Sequence, residues 1–320
     1  MIQLLKIEIF KIFKRPRTYI AFAVIALIII LIQIALKFGG KEYVGLMMSG
    51  MGDSFEEIPT QTILNGYLVC FVILNLLLIH IPILVALVSG DAIAGEANMG
   101  TLRLLVSKPV SRIQLLIVKF TASVFYTMIL LIWVAVLALF LSILLFGVNW
   151  LGVPRELQFN VMESDDVLWR YALAFCFAAI GLICVSALAF MLSVFSDNSI
   201  GPIVITVCII IVFTILTQMQ IPFYDETIKP YLFTTHMLGW KGFFYVKAAD
   251  GVTEKGSIEN LSAIVKSAAI LIGYTVAFLG IAFWYFKRKN ILSCNEKTIY
   301  TIFCFVFVHS TFGANTARAN

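Results

Sequence analysis

Six stretches of this chain, at about 18–37, 63–88, 113–146, 168–195, 200–217 and 261–286, are long, apolar and almost free of charge, and they constrain everything else. Each is long enough, or nearly so, to cross a hydrocarbon layer of about 30 Å as a helix. A backbone surrounded by lipid must satisfy its own hydrogen bonds, which leaves helices as the form such runs take. With 61% of residues hydrophobic and 13% charged, the composition lies outside the range of soluble globular domains. The expected fold is therefore an all-α polytopic membrane protein, a six-helix transmembrane bundle. The first run, uncharged from Thr18 to Leu36, is too long for a cleaved signal peptide and lacks a small-residue cleavage pattern.

Basic residues fall at alternate ends of these runs. Lys6, Lys11, Lys14, Arg15 and Arg17 precede the first, Arg103, Lys108, Arg112 and Lys119 lie between the second and third, and Lys287, Arg288 and Lys289 follow the sixth. All then share one side, which the positive-inside rule makes the cytoplasm. Met1 to Arg15 places Ile2, Leu5, Ile9 and Ile12 on one helical face and lysines within reach of headgroups, the pattern of an interfacial helix that Pro16 ends. Phe38 to Gln61 and Asn149 to Val167 are polar and acidic and are placed outside, with Asp166 set to pair with Arg170 one turn on. The aromatic stretch from Gln218 to Asn260 is too broken to span, and its centre, Ile228 to Trp240, is expected to form re-entrant or interfacial helices in the outer half. A net charge of +5, distributed by topology, argues against nucleic-acid binding.

Polar groups within the runs are expected to face the bundle interior or a partner subunit, since lipid would not solvate them. Asn75 and His80 of the second run mark a possible intramembrane polar site, although a lone histidine more often makes a helix–helix hydrogen bond. Five of the six cysteines, Cys70, Cys176, Cys184, Cys208, Cys294 and Cys304, lie in or beside apolar runs. None forms a CxxC pair, so they read as structural thiols rather than disulfides or metal ligands.

One polar, glycine-punctuated segment, Ser89 to Arg112, joins the second and third runs. Leu102, Leu105 and Val106 recur at helical spacing, so a short amphipathic helix is expected, ending near Lys108 because Pro109 excludes its predecessor from the α region. Ser111 and Gln114 then form a capping box that starts the third span. Gly95 and Gly100 are suited to sharp turns and Thr101 to a helix cap.

Gly95-Glu96, Gly100-Thr101-Leu102, Leu105 and Pro109-Val110-Ser111-Arg112, in this layout of spans, resemble the corresponding loop of ABC-2-type permeases, the membrane subunits of ATP-binding-cassette exporters. The resemblance covers about residues 1–290. It implies a coupling helix between residues 91 and 108 that docks on a separate nucleotide-binding subunit, with Asp91, Glu96 and Arg103 pairing across that surface and Pro109 fixing the helix end. It also implies a homodimer or heterodimer of permeases in a bacterial-type cytoplasmic membrane with the N-terminus cytoplasmic, in contact with membrane lipid, exporting a substrate the sequence does not identify.

The chain's own chemistry agrees with dependence on another polypeptide. Gly95 to Gly100 has the glycine spacing of a phosphate loop, but Thr101-Leu102 stands where Lys-Ser/Thr is required, so no ATP site, catalytic residue, cofactor or metal is expected. The alternative is a membrane scaffold or intramembrane enzyme subunit of a redox or metalloenzyme-assembly complex, which needs ionisable groups inside the spans. The tail 291–320 departs from the permease pattern. Its apolar run Thr298 to Val308, flanked by Lys297 and Arg318, is a seventh interfacial segment, a signal-peptide-like junction or a disordered tail.

Overall fold

A computed structural model of the chain describes residues 1–49, 63–102, 111–155, 158–219, 229–246, 248–249, 252–253 and 256–289. The tail 291–320 and the expected site residues Arg103 and Pro109 lie outside them. Helix α1, Ile2–Lys14, ends at an extended Arg15. Helix α2 then starts at Pro16 and runs to Ser49, proline being well suited to a first helical position. Helix α3 is Gly66–Gly90 and the short α4 is Ala94–Asn98. Helix α5, Arg112–Ala135, passes through a π-helical turn at Val136–Phe140 into α6, Leu141–Phe146. Helices α7, Ser164–Phe195, and α8, Ile200–Gln218, follow. After Phe233–Met237, which is α9, come a 3₁₀ stretch at Leu238–Phe244 and α10, Leu261–Arg288.

Six of these segments are long and apolar enough to cross a membrane: Pro16–Leu46, Gly66–Gly90, Arg112–Phe146, Ser164–Phe195, Ile200–Gln218 and Leu261–Arg288. The protein is thus a multi-pass helical membrane protein, with spans where the apolar runs place them. Two departures are local. Residues 38–49, placed outside from their polarity and beyond the expected span end at 37, continue α2 by about three turns, with burial of Leu36 and Val44 offsetting the helix cost of Gly39 and Gly40, about 1 kcal/mol each. The chain is also not purely α. Leu151–Arg155 (β1) pairs antiparallel with Gln158–Met162 (β2), and Ala248–Ala249 (β3) with Val252–Thr253 (β4).

The core is built around α7, whose inner face carries Ala174, Phe177, Leu182, Val185 and Ala189. Asn65 caps α3 by accepting from the amides of Tyr67 and Leu68, both at 3.0 Å, and donates to the Trp150 carbonyl at 2.6 Å. Gly66 beside it must be glycine, since a β-carbon would stand 2.6 Å from the Ile143 backbone. The buried amide of Gln33 on α2 donates to the Leu137 carbonyl and to Ser142 Oγ, each at 2.9 Å. That bond gives a π-turn carbonyl a partner from a second span.

At the end of the bundle that holds the two hairpins, Arg170 is fully buried. It binds Asp166 Oδ2 at 2.6 Å, the one-turn pair expected from sequence, and the carbonyls of Phe243 and Ser257 at 2.7 and 2.8 Å. Trp240, Phe243 and Phe244 are likewise buried, and Trp240 and Phe244 lie against Phe71 with ring centroids 5.5 Å away. The stretch expected in the outer interface therefore contributes aromatic groups to the core. Replacing Arg170 by methionine removes the countercharge of Asp166, which keeps only the Trp169 and Gly256 N–H donors among the described residues, takes the Arg170 bonds from two carbonyls, and is expected to cost about 3 kcal/mol. Unfolding of the purified protein in detergent checks this, and a loss under about 1 kcal/mol would contradict the anchoring role.

Candidate functional site

The segment joining α3 to α5 is seated by apolar and polar contacts together. Ile93 and Leu102 pack with Leu115, Leu116, Phe190, Val194 and Phe286. The amides of Ile93 and Ala94, where α4 begins, donate to Ser193 Oγ of α7 at 3.1 and 2.9 Å. Gly100 adopts a φ of 71°, the left-handed turn anticipated for it. Gly95 serves a different purpose, because a β-carbon there would collide with the Asp91 carboxylate. The residues whose amides Thr101 would cap, Arg103 and Leu104, lie outside the described residues. The Thr101 hydroxyl donates to the Glu96 carbonyl at 3.2 Å and closes the end of α4.

Asp91 and Glu96, expected to pair across a docking surface, are buried in the single chain. They are 1% and 3% exposed, and their charges are used within the chain. Glu96 joins an alternating square of charges with α1 and α5. Lys11 Nζ lies 2.8 Å from Glu8 Oε1 and 3.1 Å from Glu96 Oε1, while Lys119 Nζ lies 3.0 Å from Glu8 Oε2 and 2.7 Å from Glu96 Oε2. Lys119 donates hydrogen bonds to Glu8 Oε2 and, at 3.2 Å, to the Ala92 carbonyl, while its contact with Glu96 Oε2 is an ion pair. Asp91 Oδ2 receives both Arg15 and Arg17, the latter at 2.9 Å. Seven charged groups on four segments thus meet at one end of the bundle.

Burial alone would push the Glu8 carboxyl up, but the charge of Lys119 and the bond from Lys11 outweigh it and hold Glu8 below its ordinary 4.5. For Lys11, burial pulls downward and is outweighed by the hydrogen bond to Glu8 and the charge of Glu96, which leaves it above its ordinary 10.5. A lowered acid stabilises the fold above its unfolded value and loses this as pH falls through its folded one. A raised base stabilises below its unfolded value and loses this as pH rises.

Among the described residues of the loop, Asn98-Met99-Gly100 and Ser111 are exposed. Asn75 and His80 each bond within their own helix. Asn75 donates to the Phe71 carbonyl of its own helix at 2.9 Å, and His80 is exposed, with Nδ1 2.9 Å from the Leu76 carbonyl. Sequence reasoning missed Glu8, whose signal was a lone acid three residues before Lys11 in an otherwise basic amphipathic helix. Lys119 was visible as the one cation inside the third apolar run, but it was counted only toward topology.

Fold and site together define a multi-pass membrane protein with a charged hub at one end of its bundle. The chain belongs to the family described as "Protein of unknown function (DUF2705)", whose model matches residues 26–292, including Asp91, Glu96 and Lys119. It is also similar to "Uncharacterized protein YhcI" of Bacillus subtilis (strain 168), 26% identical over 121 residues. That match spans 35% of this chain and 37% of the relative.

The hub should hold α1 against α5 most firmly between about pH 4.5 and 10.5, the ordinary values of its two shifted groups. Limited proteolysis after Lys6 in detergent is expected to be slow across that window and faster as pH falls below it and Glu8 protonates. Glu8→Gln should bring the faster cleavage to neutral pH, and an unchanged rate in that variant would contradict the assignment.

Proposed function

We propose that this protein is the permease subunit of an ABC-2-type exporter in a bacterial-type cytoplasmic membrane, driven by ATP hydrolysed on a separate subunit. In this reading α1 and the hub face the cytoplasm, and two permeases form the translocation path. The observation that carries the proposal is the two-sided character of the segment from Asp91 to Leu102. On one side its carboxylates and apolar groups are fixed to α1, α5, α7 and α10, and on the other it offers Asn98 to Gly100 to solvent. A push at that edge reaches several spans through charged and packed contacts, and discrete rearrangement of packed elements is how such motion travels.

The docking residues follow from exposure. Asp91 and Glu96 act in transmission rather than recognition, so reversing their charge would damage the fold and the coupling together. A cysteine in place of Met99 tests recognition alone, since this side chain is 59% exposed. In native membranes, a thiol-to-amine cross-linker on that variant is expected to join the protein to a distinct polypeptide that an azido-ATP photoprobe also labels. Recovery of the inserted protein with no nucleotide-labelled adduct would overturn the proposal.

A further inference from the structure

The hub is not electrically closed. Lys11, Arg15, Arg17 and Lys119 face Glu8, Asp91 and Glu96 across one small cleft, four cations against three carboxylates. The excess sits with the arginines. Arg15 and Arg17 each reach Asp91 Oδ2 through one nitrogen, Nη1, and bind no other acceptor among the described residues. A guanidinium carries five N–H donors, so most of theirs remain available. Their side chains are 27% and 41% exposed, open enough for a ligand to approach. Asp91 Oδ1, the carboxylate oxygen without a hydrogen-bond partner, is buried against Gly95 and does not face a ligand at the arginines.

Arg17 also begins an uninterrupted exposed stripe on α2. Ile20, Val24, Leu27, Leu31 and Ile34 follow it at intervals of three and four residues, all on one helical face and all exposed. Along its own length, α1 also exposes Ile2, Ile7 and Phe10. Two partly open guanidinium groups thus stand at the foot of an apolar strip long enough to take an acyl chain. Phosphate is the anion whose geometry a guanidinium fork matches. The neighbouring strip selects a phosphate that carries a hydrocarbon chain over a free one.

We infer that Arg15 and Arg17 form a binding site for the headgroup of an anionic phospholipid in the leaflet that contacts α1, with its acyl chain along the Ile20 to Ile34 face of α2. The inference does not depend on the transport reading. A lipid held there touches the same side chains that hold Asp91, so its charge bears on the connection between α1 and the α3–α5 segment.

Native mass spectrometry of the full chain in detergent tests the site, with phosphatidylglycerol and phosphatidylcholine of matched chains as probes. Phosphatidylglycerol is expected to be retained more strongly, and Arg17→Gln should weaken it by about fivefold, the effect of one interfacial cation. Arg15 still pairs with Asp91 in that variant, an unchanged melting temperature verifies its fold, and Arg17→Lys should recover most of the binding. Arg288→Gln, which removes a cation stacked 4.5 Å over Trp284 at the end of α10, should leave the preference intact. Equal binding of the two lipids, or equal losses in Arg17→Gln and Arg288→Gln, would overturn the site. Displacement of phosphatidylglycerol by excess inorganic phosphate would overturn its assignment to lipid.

Discussion

A carboxylate withdrawn from water must find positive charge close by, and three such carboxylates, Glu8, Asp91 and Glu96, organise one whole end of this protein. Their partners come from α1, the start of α2 and the middle of α5, so satisfying them fixes where these elements lie. Buried ion pairs contribute modest net stability, because desolvation offsets much of the attraction, but stranding one member of a pair is costly. The hub therefore specifies position more than it adds stability. The N-terminal helix can dock where Glu8 meets Lys119 and Lys11 meets Glu96, and a shift of one turn would leave three buried charges, Glu8, Glu96 and Lys119, without these partners.

The opposite end uses the same chemistry more sparingly. There Arg170 gathers Asp166 and two loop carbonyls, and the aromatic groups of Trp240 and Phe244 close over Phe71. Between the ends, the spans hold one another through small residues and a few amides. Gln33 serves the π turn of the third span, and Gly66 lets α3 meet the backbone of α6. Both ends thus fix connecting segments to the bundle by buried charge, while the middle depends on packing in which lipid supplies no hydrophobic drive.

Local features of this arrangement were legible in the sequence. The six spans follow from run length, Ser111 caps α5 as its spacing implies, and Asp166 binds Arg170 because residues four apart share a helix face. What stayed hidden depends on separation along the chain. Nothing near Glu96 points to Lys11, 85 residues earlier, and a loop carboxylate reads as solvated until the fold shows it buried. His80, expected to face the bundle interior or a partner subunit, is exposed on the single chain, with Nδ1 against the Leu76 carbonyl of its own helix. The course of α2 past Gly39 was missed because packing, rather than propensity, decides where a long helix stops.

Glu8 and Lys119 recognise each other over a sequence separation of 111. A double-mutant cycle in detergent, using Glu8→Gln, Lys119→Met and the pair together, measures that recognition directly. The account predicts strong coupling: each single variant should be costly and the double substitution should cost about 2 kcal/mol less than the sum, because it removes a charge that either single change strands. Additive losses, within about 0.5 kcal/mol, would contradict it and leave the N-terminal helix without the electrostatic tether on which this description rests.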